Sequence, residues 1–304
     1  MEKFDLNILG TGSALPTTRF NPTSQVVNFR DNLFMIDCGE GAQTQLRKMQ
    51  LKFSRLSHIF LSHLHGDHCF GLMGLISTLG LLDRTGELVV HAHPDAEKVF
   101  RPLLDYFCAE LPYKVIFNPI APQKHELILE ERSLRVYSIP LKHRVPTCGF
   151  LFEEKPRPRH IIREMTDFYQ VPVRDMNRLK DGADFVREDG TVIPNDNLTR
   201  PAEPTRKYAY CSDTTYHKSI VPIIEGVDLL FHEATFLEKE KARAKQTMHS
   251  TALQAAKIAQ AAQVKKLVIG HFSARYNDLN VLLEEAKTIF PETVLAEEAK
   301  CYPI

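Results

Sequence analysis

Short apolar runs recur along this chain, and several of them stop at a histidine or an aspartate. One such run, Ile59-Phe60-Leu61, is followed by a largely polar stretch and then by a longer apolar run from Phe70 to Leu82. That order predicts strand, loop, helix. Residues Phe4 to Leu9 alternate apolar and polar positions, which predicts an edge or half-buried strand. Ser24 to Phe29 and Asn32 to Asp37 predict a hairpin, and Ala42 to Met49 a helix. Glu87 to His91 predicts a strand and Asp95 to Tyr106 a helix, with further strands at Tyr113 to Phe117, Glu126 to Leu129 and Ser133 to Ile139. Later runs predict strands at Lys207 to Cys211, Val227 to Phe231 and 267 to 270, and an alanine-rich helix at Thr251 to Ala262 with Ser250 or Thr251 as its cap. Strands and helices alternate without a strict βαβ rhythm. Periodicity alone therefore gives an α/β or α+β chain, and the mixture suits two packed sheets flanked by helices.

The pattern breaks at Glu153. Residues 153–206 are rich in Pro, Arg, Lys, Asp and Glu, with few core-forming runs, which reads as a partly exposed insertion into a single domain spanning 1–304. Two readings stay open: a solvated surface excursion, or a basic arm that grips a phosphate backbone. Composition adds little to either. The 304 residues are 43% hydrophobic and 25% charged, with 38 Lys+Arg against 38 Asp+Glu. Net charge does not announce a nucleic-acid binder, so any basic surface is local. The longest apolar runs, such as Leu75 to Leu82, are too short to span a bilayer, and the start lacks a signal pattern. The six cysteines, at 38, 69, 108, 148, 211 and 301, contain no C-x-x-C pair. That argues against a zinc ribbon or a disulfide framework and for a reduced, cytoplasmic protein.

Candidate chemistry concentrates at His63, His65, Asp67 and His68. Neutral imidazole and carboxylate are natural ligands for zinc and similar divalent metals. His63 and His65 alternate around Leu64, so an extended backbone points both rings the same way. Asp67 and His68 follow Gly66, which can turn the chain toward a second point nearby, so one loop could serve two adjacent ions. Three more strand ends carry ligand-type residues: His143 after Ser133 to Ile139, Asp213 after Lys207 to Cys211, and His271 after 267 to 270. An Asp with two oxygens can bridge two metals. His232-Glu233-Ala234-Thr235-Phe236 is not an H-E-x-x-H zincin, because Phe236 holds the second His position. His249 stands at the entrance of the alanine-rich helix. Gly10-Thr11-Gly12 opens like a dinucleotide fingerprint, but Leu15 occupies the third glycine position, leaving a tight turn on the rim of the site.

The string H-x-H-x-D-H at 63–68 resembles the signature of the metallo-β-lactamase superfamily. Leu61-Ser62, Phe70-Gly71-Leu72, His232-Glu233-Ala234-Thr235 and Gly270-His271-Phe272-Ser273-Ala274-Arg275 resemble its ribonuclease Z branch, the tRNA 3′-processing endonucleases. The resemblance implies an αββα sandwich holding two zinc ions per chain. It places His63, His65 and His143 on one ion, Asp67, His68 and His271 on the other, and Asp213 between them. It gives Asp37 a supporting role and pairs His249 with Glu233, so the expected catalytic residues are Asp67, His249 and Glu233. It further implies a precursor tRNA substrate gripped by the 153–206 arm, cleavage leaving a 3′-hydroxyl, and a homodimer. Near Pro16 to Asn21 the chain departs from the family's P-x-K-x-R-N loop, since Thr18 and Phe20 replace basic residues; the cut relative to CCA stays open. The competing expectations are a small-molecule phosphodiesterase or thioester hydrolase on the same fold, and a non-catalytic binding module.

Overall fold

The computed structural model describes residues 2–304. Two seven-stranded sheets dominate it. In the first, the strand order is Cys301–Pro303, Phe4–Gly10, Ser24–Phe29, Asn32–Cys38, Leu56–Phe60, Leu88–Ala92 and Val115–Pro119. The pairs up to Asn32–Cys38 are antiparallel, and those from there on are parallel. In the second, the order is Thr293–Leu295, Lys266–Gly270, Leu229–Glu233, Lys207–Cys211, Cys148–Glu154, Leu134–Pro140 and Leu127–Glu130. Its first four strands are mutually parallel.

The sheets pack through aromatic residues. Phe60 meets Phe150 and Phe152 at ring-centroid distances of 5.4 and 5.5 Å, and Phe34 meets Phe152 at 6.1 Å. Loss of one such ring costs about 3–5 kcal/mol, so the spacing between the sheets is firmly set. Outside the first sheet, helices Ala42–Lys48, Leu72–Leu81 and Asp95–Phe107 bury Leu46, Leu75, Ile76, Phe100 and Leu104 against Leu56, Ile59 and Val90. Outside the second, helices Ala252–Ala261 and Asn280–Lys287 bury Ala255, Ile258, Leu282 and Ala286 against Leu230 and Leu267. Small alanines let the first of these helices lie close to its sheet. The result is the αββα sandwich of mixed sheets.

One expectation is corrected and two are sharpened. Phe4–Gly10 is an interior strand, because Cys301–Pro303 pairs along the side expected to be free. Its polar Asn7 is buried and donates to the Val26 carbonyl at 3.2 Å. The run from Phe70 to Leu82 forms one helix, Leu72–Leu81, and a separate single turn at Gly66–Cys69 precedes it. Between them lies Gly71, where an added Cβ would stand 2.0 Å from the Gly39 carbonyl oxygen, so only glycine lets these loops touch. The Ala252–Ala261 helix is capped by Thr251 rather than Ser250, in a capping box with Gln254. Gly10 is likewise a site of close approach, with a Cβ placed 1.8 Å from Pro22 O. The Ser24–Phe29/Asn32–Cys38 hairpin turns through Arg30 and Asp31, both at positive φ, as two-residue hairpins require.

Residues 153–206, with 131–134, form a separate compact unit. Val171, Leu179, Phe185, Ile193 and Leu198 make a small core of their own. No run signals this core in the sequence, because its members come singly from short helices, two-residue strands and a loop. Within this unit Glu154 is buried and holds Arg157 at 2.5 Å and Arg206 at 3.1 Å. Arg159 pairs with Asp196, and Arg163 with Asp167. Acidic residues match basic ones across the segment, so most of its arginines are already spent on carboxylates.

Candidate metal centre

The ligand-type residues gather at the C-terminal ends of strands. His63, His65, Asp67 and His68 follow Leu56–Phe60, and His143 follows Leu134–Pro140. Asp213 follows Lys207–Cys211, and His271 follows Lys266–Gly270. Asp37, Asp213 and His271 all bend in the left-handed region, with φ of 55°, 53° and 59°. Each such bend costs on the order of 1–2 kcal/mol for a residue with a Cβ, although Asp and His tolerate it better than most.

Asp213 divides its two oxygens. Oδ2 lies 3.6 Å from both His63 Nε2 and His143 Nε2. Oδ1 lies 3.1 Å from both His68 Nε2 and His271 Nε2. His65 Nδ1 is 2.9 Å from His63 Nε2, and Asp67 Oδ2 is 3.4 Å from His68 Nε2 and 3.6 Å from His271 Nε2. Ligand atoms of His63, His65, His143 and Asp213 fall within 4.8 Å of one another, as do those of Asp67, His68 and His271. All seven positions singled out in the sequence therefore meet, as two groups sharing one carboxylate. A third grouping joins Asp213 and His271 to His249.

The outward nitrogens fix the tautomers. His68 Nδ1 donates to Asp37 Oδ2 at 2.7 Å, and His143 Nδ1 to the Met248 carbonyl at 3.0 Å. His63 Nδ1 meets Ser62 Oγ at 3.0 Å, and that hydroxyl in turn donates to Asp37. With Nδ1 protonated, each ring presents Nε2 as a lone pair toward the cluster. Asp37 is held by the Ser62 N–H and hydroxyl and by Tyr210 Oη at 2.7 Å. It contacts His68 and Ser62 from behind and joins neither group.

The donor set fits divalent cations. Nε2 of His68 and of His271 is buried without a hydrogen-bond partner, an arrangement that is costly unless the lone pair is used. Burial would lower the His68 pKa, but Asp213, Asp37 and Asp67 outweigh it and raise it well above the usual value. Burial would raise the Asp213 pKa, yet His271, His68 and His63 hold it well below the carboxylate range. Three carboxylates thus converge where positive charge is called for.

Beside this cluster, His249 Nδ1 lies 3.0 Å from Glu233 Oε1. Glu233 is fully buried and also accepts the Thr214 N–H at 2.6 Å, the Thr235 hydroxyl at 2.6 Å and the Ser250 N–H at 3.1 Å. Burial alone would lower the His249 pKa, but the Glu233 charge and hydrogen bond raise it to about 9. Sequence reasoning missed Ser62, Tyr210, Thr235 and the Met248 carbonyl. Ser62 and Thr235 stand in the strings that carry the family resemblance, which was their signal; a tyrosine hydroxyl in an apolar strand or a backbone oxygen carries no such pattern.

Comparison with known proteins gives the context for this geometry. The family profile described as anti-Pycsar protein Apyc1 matches residues 4–95. Ribonuclease Z of Parabacteroides distasonis is 66% identical over 298 residues, covering 98% of both chains. Ribonuclease Z of Bacteroides thetaiotaomicron is 64% identical over all of this chain and 96% of its own. Among solved structures, the short form of human tRNase Z aligns with a TM-score of 0.71 at 26% identity, over 99% of this chain and 100% of that one. The metallo-β-lactamase-fold protein YhfI from Bacillus subtilis aligns at 0.69 with 19% identity, a likeness of fold, over 98% of each chain. With full-length identity of this order, the chain belongs to the ribonuclease Z family: it is a hydrolase, an endoribonuclease on the metallo-β-lactamase fold.

Proposed function

We propose that this enzyme removes the 3′ trailer of precursor tRNA by zinc-dependent phosphodiester hydrolysis, leaving a 3′-hydroxyl. The observation that carries the reading is the division of Asp213 between two histidine groups, with the His249–Glu233 pair alongside. His63, His65 and His143 would hold one zinc ion, Asp67, His68 and His271 the other, and Asp213 would bridge them. When bound, the two ions supply Lewis acidity: they acidify water, offset charge on the phosphate and stabilise a leaving oxygen.

The chain's own groups do the rest. Asp67 keeps one oxygen near His68 and His271, and its second oxygen is the general base that takes the proton of the attacking water. His249 is an imidazolium at neutral pH, with Nδ1–H committed to Glu233, so Nε2–H is left to donate to the departing 3′ oxygen. The 153–206 unit contacts the RNA. Because its arginines are largely ion-paired, few phosphates are neutralised there; Lys180, Arg187 and Arg200, which make no ion pair among the described residues, are among the cations available. We carry a cytoplasmic location and a homodimer to this chain from its family likeness. No helix of the described residues is long and apolar enough to cross a membrane.

The test is cleavage of a 3′-extended tRNA transcript by wild type, Asp213→Asn and His249→Ala, with bound zinc measured for each. Asp213→Asn is expected to lose zinc and activity. His249→Ala is expected to keep zinc and lose roughly 10²–10⁴ in kcat; loss of zinc there would make His249 a ligand. Turnover of a bis-nitrophenyl phosphate with no cut in the transcript would favour the small-molecule phosphodiesterase.

A further inference from the structure

Thr235 lies just past strand Leu229–Glu233 and is 3% exposed. Its hydroxyl oxygen is 2.6 Å from Glu233 Oε2 and 3.1 Å from His271 Nδ1. The same oxygen is 3.0 Å from the His271 carbonyl; a hydroxyl has one hydrogen, and the shorter, charged carboxylate contact takes it from the neutral carbonyl. The remaining lone pair takes an N–H from His271. His271 is then protonated on Nδ1, and its Nε2 lone pair faces Asp213 Oδ1 at 3.1 Å and Asp67 Oδ2 at 3.6 Å. On the far side, Glu233 Oε1 accepts from His249. One hydroxyl therefore stands between the acid pair and a ligand-type histidine.

We infer that Thr235 is a positioning residue for the hydrolysis, holding Glu233 against His249 while setting the tautomer of His271. The inference rests on the two-cation reading above. It predicts coupling between two parts of the site that share no direct hydrogen bond. Valine has nearly the shape of threonine, so Thr235→Val keeps the packing and deletes both bonds. The buried His271 N–H then has no acceptor, and either tautomer can form. Glu233 loses one of its four donors. Thr235→Ser keeps the hydroxyl and loses only a methyl.

The experiment compares wild type, Thr235→Val, Thr235→Ser and His249→Ala. Zinc affinity is read by competition with a chromophoric chelator, and kcat and KM are read on a 3′-extended tRNA transcript. Thr235→Val is expected to lose about 10–100-fold in zinc affinity and in kcat, the usual worth of a group behind a ligand, with KM unchanged. Thr235→Ser is expected to recover both. Should Thr235→Val not fold, Thr235→Cys, which offers only weak bonding through sulfur, carries the same expectation. The inference is overturned if Thr235→Val matches wild type in both readouts. It is equally overturned if Thr235→Ser falls with Thr235→Val, since packing rather than the hydroxyl would then be at work. Failure of the underlying reading looks different: wild type would bind no zinc, or His249→Ala would keep full kcat.

Discussion

Glu233→Gln separates charge from shape in the His249 pair. The carboxylate accepts two backbone N–H groups, one hydroxyl and one imidazole, on two oxygens. A glutamine amide offers one oxygen and turns an NH₂ toward the other donors. Thr235 can rotate its hydroxyl to accept from that NH₂; the Ser250 N–H cannot, and is left buried without an acceptor. Such an orphan costs about 1–3 kcal/mol. Losing a charge-assisted bond to His249 removes a further 1.5–3 kcal/mol. The sum, about 2.5–6 kcal/mol, lowers Tm by roughly 5–24 °C at about 2–4 °C per kcal/mol. For activity, Glu233 is what outweighs burial and keeps the His249 pKa near 9. Without it the pKa drops to about 6.5 or lower, so at pH 7.5 the imidazolium fraction falls roughly tenfold. Lost orientation adds to that, and kcat is expected to fall about 10²-fold. Single-turnover cleavage of a 3′-extended tRNA, with protein quantified as folded fraction, reads this directly. The His249→Ala/Glu233→Gln double variant is expected to be no slower than His249→Ala, because the two act as a unit. Wild-type kcat in Glu233→Gln, beside a slow His249→Ala, would refute the role assigned to the carboxylate.

Three further outcomes are expected. Stripping metal with a chelator should abolish hydrolysis and destabilise the fold by about 4 kcal/mol relative to zinc at a thousandfold excess over Kd, read as a Tm shift reversed by added zinc; an unchanged Tm would count against a buried binuclear site. At Glu154, burial raises the pKa but Arg206 and Arg157 bring it below the usual value, so its contribution is present above about pH 4.3 and disappears as pH falls through the lower folded value. Glu154→Gln should therefore destabilise residues 153–206 at pH 7 and make progressively less difference as the pH falls through that lower value, as hydrogen exchange of this unit would show; an effect that does not fade with falling pH would be contrary to the ion-pair argument. The Glu154 N–H donates to the Arg206 carbonyl at 3.0 Å, so residues 155–205 can be replaced by a short Gly-rich turn. That variant should bind precursor tRNA less tightly while hydrolysing a bis-nitrophenyl phosphate normally; equal loss on both substrates would make the segment part of the catalytic fold.

Much of this was legible in the sequence because ligand-type residues stand where apolar runs stop. His63, His143, Asp213 and His271 each mark a strand end, and the folded chain brings those ends together. What stayed hidden was long-range. The partner of Phe4–Gly10 is the C-terminal strand Cys301–Pro303, which no local pattern near residue 4 can disclose. The need for glycine at 71, just before the helix, depends on Gly39, far away in sequence. Thr235 and Tyr210 look like ordinary strand and turn residues until their hydroxyls are seen against Glu233 and Asp37. The core of 153–206 was invisible because its apolar members are scattered singly.

The left-handed bends at 213 and 271 have a consequence for any mutational survey of this enzyme. Alanine there exchanges a tolerated conformation for a disfavoured one while removing the ligand, so its deficit mixes two causes. Asparagine at 213 leaves the chain trace at ease and alters only the electrostatics. Glycine at 213 would be the most relaxed occupant of that bend and chemically mute. At these corners, ease of folding and usefulness in catalysis select opposite residues.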